Sequence, residues 1–374
     1  MKKLTCLFLI LVLIIVPITP AFAGEAEYKD FKSVVEYVAC SFMRNSYDKD
    51  FQVRETTEFV DFQGNITAYH VALSINDKPC GYVLISLLTE GDPIVEFSYE
   101  GDGLVDTISK TIPECNSIDN PLVYLGPDLL FINDNKSNLA IDVFTGKTYK
   151  SDDIKNDFGN IQIVRDSGYS NGGGMLDWSN ASVSANSIFE IYEFGSSSDY
   201  WTINTLSSGG NYCAPTAGTN IIWYWGEHRN RSWVQPFNYS TNQLNAQAVF
   251  NNLKSAMMTL STGTADFMVP NGYNTYLSAY GTYYSISAVT TNNYNSFVTA
   301  LNSDCPVHTM LRPNSSPTCD GHDVMALGYA QSTTGTDYLI IMDGWTNISR
   351  VLNFSYYTSG TRLIKGYKIW VGAY

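Results

Sequence analysis

The stretch Ser208-Gly209-Gly210-Asn211-Tyr212-Cys213-Ala214-Pro215-Thr216-Ala217-Gly218-Thr219-Asn220-Ile221-Ile222-Trp223-Tyr224-Trp225 constrains this chain most. Its glycines make a turn, Pro215 suits the first turn of a helix, and Ala217, Ile221, Ile222 and Trp225 then recur at helical spacing. Cys213 is thereby predicted at a helix N-terminus. The partial positive charge there favours thiolate over thiol, and the thiolate is the nucleophile. Two readings of Cys213 stand side by side: a nucleophile, or a small buried apolar residue.

A nucleophilic cysteine needs a base, and His70, His228, His308 and His322 are the choices. His228 follows Cys213 by fifteen residues, and at 1.5 Å per residue one continuous helix would carry it roughly 22 Å away. His70 lies in a different region of the chain. His308, in Cys305-Pro306-Val307-His308-Thr309-Met310-Leu311, sits on a predicted strand as a satisfied core or surface residue. His322 opens Gly321-His322-Asp323-Val324-Met325-Ala326-Leu327-Gly328-Tyr329, a glycine followed by a strand, and is the best candidate. A second strand, Tyr338 to Trp345, follows a polar turn. Paired as an antiparallel hairpin, the two strands set Asp343 opposite or diagonal to His322. A carboxylate there would hold the imidazole's tautomer, the third role in a nucleophile, base and orienter triad. Asp323 points to the other strand face and is the weaker orienter.

Acidic residues outnumber basic ones, 36 to 22, for a net charge of −14. That excludes a protein that tracks nucleic-acid phosphates, which needs a basic face. The acidity is uneven: Gly24 to Arg165 holds 24 acidic and 12 basic side chains, net −12, and Asp166 to Tyr374 holds 12 and 8, net −4. Between them, Asp166 to Asn186 is rich in Ser, Gly and Asn, the composition of a cleavable connector. The first region is expected as a small helix-plus-sheet unit. It has a helix over Tyr28 to Arg44, strands Tyr69 to Ile75 and Gly81 to Ser86 about an Asn76-Asp77 turn, and a further strand pair around Pro93 to Tyr99 and Leu129 to Val143.

At the N-terminus, the order Met1-Lys2-Lys3, apolar Leu7 to Ile18, then Ala21-Phe22-Ala23 is that of an export signal cleaved after Ala23. The apolar run is shorter than the ~20 residues that span a bilayer, so no membrane span is expected in the mature chain. Six cysteines follow Cys6 without a Cys-x-x-Cys pair, which disfavours zinc. Cys305 and Cys319 lie at positions from which they could bridge the mouth of one hairpin.

Cys-Ala-Pro-Thr-Ala at 213 to 217, Gly-His-Asp-Val-Met-Ala-Leu-Gly-Tyr at 321 to 329 and Asp-Gly-Trp at 343 to 345 resemble the Cys, His and Asn/Asp boxes of papain-like cysteine peptidases, above all the bacterial C39-like group. The resemblance covers about Tyr200 to Tyr374. Gly81-Tyr82-Val83-Leu84-Ile85-Ser86 resembles the propeptides of streptopain-type enzymes. The resemblance implies an α+β, papain-like catalytic domain at 199–374, with a helix-led cysteine and an antiparallel sheet carrying His and Asp. It also implies a prosegment at 24–165, a linker and mature N-terminus at 166–198, and the leader at 1–23. Cys213 is then the nucleophile, His322 the base and Asp343 the orienter. Trp345 would shield the His322 to Asp343 hydrogen bond or serve as a core aromatic. One departure concerns the oxyanion. The family's Gln about six residues before the cysteine is Ser207 here. Asn204 and Asn211 are the candidate replacements, each of which also fits a plain loop residue. The expected activity is hydrolysis of protein or peptide substrates by a secreted enzyme made as a proenzyme, with its own prosegment as a partner and no metal or organic cofactor. An acyltransferase or amidase with the same triad, and a non-catalytic binding protein on the same scaffold, are the alternatives.

Overall fold

The computed structural model describes residues 31–372 other than 90, 112–119, 145, 159–183, 186, 192–200, 208–209, 235–236, 239–242, 281–282, 313–320 and 360–361. The leader and most of the connector lie outside the described residues, as do Cys115 and Cys319. The apolar spacing of Val34, Val35, Val38 and Phe42 makes α1 (Phe31–Tyr47) amphipathic, and this face is buried. Then come β1 (Gln52–Val60), β2 (Ile66–Ile75), β3 (Lys78–Ser86), β4 (Ile94–Ser98), α2 (Leu104–Thr111), β5 (Leu122–Gly126), β6 (Leu129–Asp134), β7 (Leu139–Asp142), β8 (Thr148–Lys150) and α3 (Ser151–Phe158). Asn76 and Asp77, with φ of 50° and 62°, form the tight turn between β2 and β3, a conformation that Asn and Asp tolerate.

The strand pair expected between Pro93–Tyr99 and Leu129–Val143 does not form. Leu129–Val143 folds on itself as β6 and β7, because Asp134 Oδ1 accepts from the backbone N–H groups of Lys136 and Ser137 and closes a turn there. β4 pairs with β3 on one side.

The second region contains β9 (Phe189–Glu190), α4 (Ile203–Leu206), α5 (Cys213–Trp223), β10 (Phe237–Asn238), β11 (Gln243–Leu244), α6 (Ala246–Ala256), α7 (Met268–Ala279), β12 (Tyr284–Val289), α8 (Tyr294–Asn302), β13 (Val307–Arg312), β14 (His322–Gln331), β15 (Asp337–Met342), β16 (Ser349–Asn353), α9 (Phe354–Tyr357) and β17 (Leu363–Val371). A π-helical turn, Tyr224–His228, continues α5, so His228 ends up at the far end from Cys213. β14 and β15 form the expected antiparallel hairpin, with Met325 opposite Met342. Among the described residues no helix is long and apolar enough to cross a membrane.

The two regions are not separate units. Among the described residues, one sheet of 15 strands runs through both, in the order β12-β17-β13-β14-β15-β16-β4-β3-β2-β1-β5-β6-β7-β8 with β9 beside β14. Its pairings are antiparallel apart from β1 with β5. The junction is β4 against β16, with Val351 opposite Phe97 and Leu352 opposite Glu96. Apolar side chains of α1, β2, β3 and β4 share one core with those of α5, β14 and β15. Phe97 meets the Tyr338 ring edge-on at 5.5 Å.

The junction also buries charge. Arg350, on β16 and 1% exposed, donates from Nε and Nη2 to Glu96 at 2.8 and 2.5 Å and from Nη1 to Asp343 Oδ2 at 3.0 Å. The Phe144 ring lies under its guanidinium at 5.1 Å. Removing the cation would leave two carboxylates buried without their partner, which typically costs about 3 to 5 kcal/mol. Arg350→Ala is therefore expected to lower the unfolding free energy of the whole chain by that order, read as a fall in the urea midpoint of a single transition. Two separate transitions, with the first shifted alone, would mean that the regions fold apart.

Candidate active site

Gly210, at φ +113°, makes the turn ahead of α5, and Cys213 is the first residue of that helix. Among the described residues no side chain caps the helix, so its leading N–H groups stay available. Pro215 stands in the first turn, where a missing donor costs nothing. α5 lies against β14, which sets the cysteine beside the strand that begins at His322. A cleft of about 210 Å³ opens here, with Cys213, Asn211, Asp266, Arg312, Asp323 and Trp345 among its walls. Among the described residues, none of those lining it comes from the first region.

His322 is buried, and its ring stacks on Trp345 with centroids 3.4 Å apart and planes 13° off parallel. Nε2 lies 2.7 Å from the backbone oxygen of Asp343. A carbonyl only accepts, so Nε2 carries the proton, and in the neutral ring Nδ1 holds a lone pair. Nδ1 is buried with no hydrogen-bond partner among the described residues. Burial pushes His322 down to about 3, against the hydrogen bond to Asp343, which favours the charged ring.

Asp343 is where the hairpin reading put it, but the atom that meets His322 differs. The carbonyl does so, and the carboxylate is turned away. Oδ1 accepts from the N–H groups of Trp345 and Thr346, each at 2.8 Å, and from Thr346 Oγ1 at 3.0 Å. Oδ2 accepts from Arg350. The buried cation claims the carboxylate, and the Asp343-Gly344 turn, with Gly344 at φ +76°, presents the carbonyl to the histidine instead. The side chain thus fixes the loop that carries Trp345. Trp345 stacks on Phe144 of the first region as well, at 4.8 Å.

Cys213 is partly exposed, yet its thiol is not an ionised one. Burial and the charge of Asp323 push it up to about 12, outweighing the N–H groups of Asp323 and Ala214 and the Arg312 guanidinium, which lower it. The helix end acts in the expected direction through Ala214, but desolvation wins. At rest the Cys213 thiol keeps its proton and the His322 ring is neutral.

The charge of Asp323 acts on both Cys213 and His322. Burial alone would raise its carboxyl; Arg312 Nη2, at 2.7 Å, and His308 Nε2, at 3.2 Å, hold it well below the usual carboxylate range. His308 is the satisfied core histidine expected, with Tyr273 Oη 3.0 Å from Nδ1. Arg312 reaches Asp266 too, at 2.7 Å. Sequence reading missed Arg312 and Asp266. The register that sets Leu311 opposite His322 was the signal available for Arg312, the next residue on β13.

The two oxyanion candidates part company. Asn204 is exposed on α4 and is not among the residues lining the cleft, whereas Asn211 lines it, with one Nδ2 hydrogen given to the Ser261 carbonyl at 3.0 Å. Cys40, Cys80, Cys213 and Cys305 are unbridged.

Comparison with known proteins adds three findings. Residues 197–361, under half of the chain, match the model of the Peptidase_C39 like family. That segment includes Cys213, His322 and Asp343. A recombinant stem bromelain precursor of known structure is similar over 50% of this chain and 72% of its own, at 12% identity and a TM-score of 0.34. No curated protein matches.

A thiol with so high a pKa reacts through a minor thiolate fraction. Alkylation of Cys213 by iodoacetamide, followed by peptide mass mapping, should be slow near neutrality and rise about tenfold per pH unit from about pH 7 to pH 10. A rate that is already flat at neutral pH would mean a preformed ion pair.

Proposed function

We propose that this chain is an exported cysteine peptidase, made as a precursor, in which Cys213 is the nucleophile, His322 the base and Asp343 the orienter. One observation carries the reading: the Asp343 carbonyl fixes the protonated nitrogen of His322 and leaves a buried lone pair on Nδ1, at the start of the strand against which the helix led by Cys213 packs, and Cys213 itself lines an open cleft. The match of residues 197–361 to the Peptidase_C39 like family supports the substrate class, a peptide bond.

Because the resting pair is neutral, proton transfer accompanies attack. Nδ1 of His322 takes the thiol proton as Sγ bonds to the peptide carbonyl carbon. The carbonyl oxygen becomes an oxyanion, met by the backbone N–H of Cys213 and the second Nδ2 hydrogen of Asn211. As the C–N bond breaks, Nδ1 returns the proton to the leaving amine, and a thioester remains. Water then attacks it with the same base, releasing the acid and restoring the thiol. Trp345 covers one face of the imidazole and keeps water from its bond to Asp343.

Export rests on the leader ending at Ala23, and the precursor reading on the connector from Asp166 to Asn186. Cleavage there should shorten the parent to about 190 to 210 residues, while Cys213→Ala stays at full length and cleaves no casein. Casein cleavage by Cys213→Ala at the parental rate would end the peptidase reading.

The atom that orients His322 can be tested separately. Asp343→Asn keeps the carbonyl and is expected to retain activity within about tenfold of the parent, with reduced stability. A loss of about 10⁴-fold at unchanged fold would return the orienting role to the carboxylate.

A further inference from the structure

We infer that the first region is a permanent partner of the catalytic region: once the connector is cut, residues 31–158 stay bound as a second chain, and the two-chain form is the working enzyme. The last clause rests on the peptidase reading above; the association does not.

The argument begins with what separation would expose. β16, a strand of five buried residues, would lose the neighbour that pairs with Val351 and Leu352 and become a bare sheet edge there. Arg350 would keep Asp343 and lose Glu96, and Glu96 would be left with Tyr82, whose hydroxyl it already accepts from. Other hydrogen bonds across the junction involve buried Tyr338, Asp92, Asn353 and Tyr357, and half-buried Asp128. Tyr338 donates to Asp92 at 2.8 Å, Tyr357 to Asp128 at 2.9 Å, and Asn353 Nδ2 to the Ile94 carbonyl at 3.2 Å. The apolar core is cut by the same plane, since Phe97 lies on Tyr338 and Phe144 on Trp345. Surfaces that separate readily are more polar at the rim and do not leave a cation desolvated at the centre. This one has the make-up of a domain interior divided by the chain's own connector.

The position of the cleft points the same way. A segment that must leave before activity begins has to block the site, and among the described residues the cleft wall takes nothing from residues 31–158. What the first region does touch is the far side of the His322 support, through Phe144 on Trp345 and Glu96 on Arg350. It buttresses the base without standing in the path of substrate. Cutting the connector therefore frees chain ends and leaves both halves of the support in place.

The test uses the full chain with Asn171 to Gly174 replaced by a site for a sequence-specific viral protease, in the parent and in Cys213→Ala. After cutting, the sample is run by gel filtration in high salt at micromolar concentration and again after thousandfold dilution, which a tight interface survives. Both fragments are expected to co-elute at the volume of the uncut chain in both backgrounds, and in the parent casein cleavage is expected to peak in the fractions that hold both. Separation in non-denaturing buffer, or precipitation of the larger fragment alone, overturns the inference. So does cleavage activity in fractions containing only the larger fragment. Co-elution with no activity in any sample, cut or uncut, would sink the peptidase reading while the association stands.

Discussion

The architecture turns on one buried cation. Among the described residues Arg350 is the largest fully buried side chain, and it bonds to carboxylates from two regions of the chain at once. A guanidinium in an apolar interior is tolerable only when its donors are filled and its charge is balanced. Here Glu96 and Asp343 do both, and the requirement ties them to fixed places. Glu96 fixes where β4 lies against β16. Asp343 fixes the turn after β15, and with it the Trp345 ring and the carbonyl that faces His322. Register of the sheet and tautomer of His322 are thus set by the same three side chains.

This arrangement also explains why the site is quiet at rest. The charges near the cleft are already spoken for: Asp323 is held by Arg312 and His308, and the carboxylate of Asp343 by Arg350. Little net field remains to stabilise a thiolate and imidazolium pair in a dry setting, so both partners stay neutral. In the proposed reaction a substrate carbonyl would supply the missing element, because the proton could leave sulfur only as negative charge moved to an oxygen that the helix end can meet.

Much of the second region was legible because its signals are local. Glycines before Cys213 and the spacing of Ala217, Ile221 and Ile222 foretold the helix, and one polar turn between two apolar runs foretold the hairpin that brings His322 and Asp343 together. Two things were not legible. Which atom of Asp343 meets the ring depends on who else wants the carboxylate, and that competitor, Arg350, lies on the next strand. The joining of the regions was hidden for a related reason: β4 and β16 are some 250 residues apart, and strand pairing at that distance leaves no periodic trace. A weaker signal existed. Ile94-Val95-Glu96-Phe97-Ser98 and Ser349-Arg350-Val351-Leu352-Asn353 are short apolar strands that each carry one lone charge of opposite sign, and lone charges in buried strands must find each other.

The place of β4 in the sheet has a kinetic side. As the chain emerges from its N-terminus, β1 to β4 can pair at once, since they are neighbours in sequence. The outer edge of β4 then waits, with Glu96 uncompensated, until β16 arrives. Contacts of such long range close slowly, and an open apolar strand edge is what neighbouring chains add to. For this molecule the hazardous interval of biosynthesis is the delay between the fourth strand and the sixteenth. A chaperone that shields the β4 edge during that delay would limit losses to aggregation.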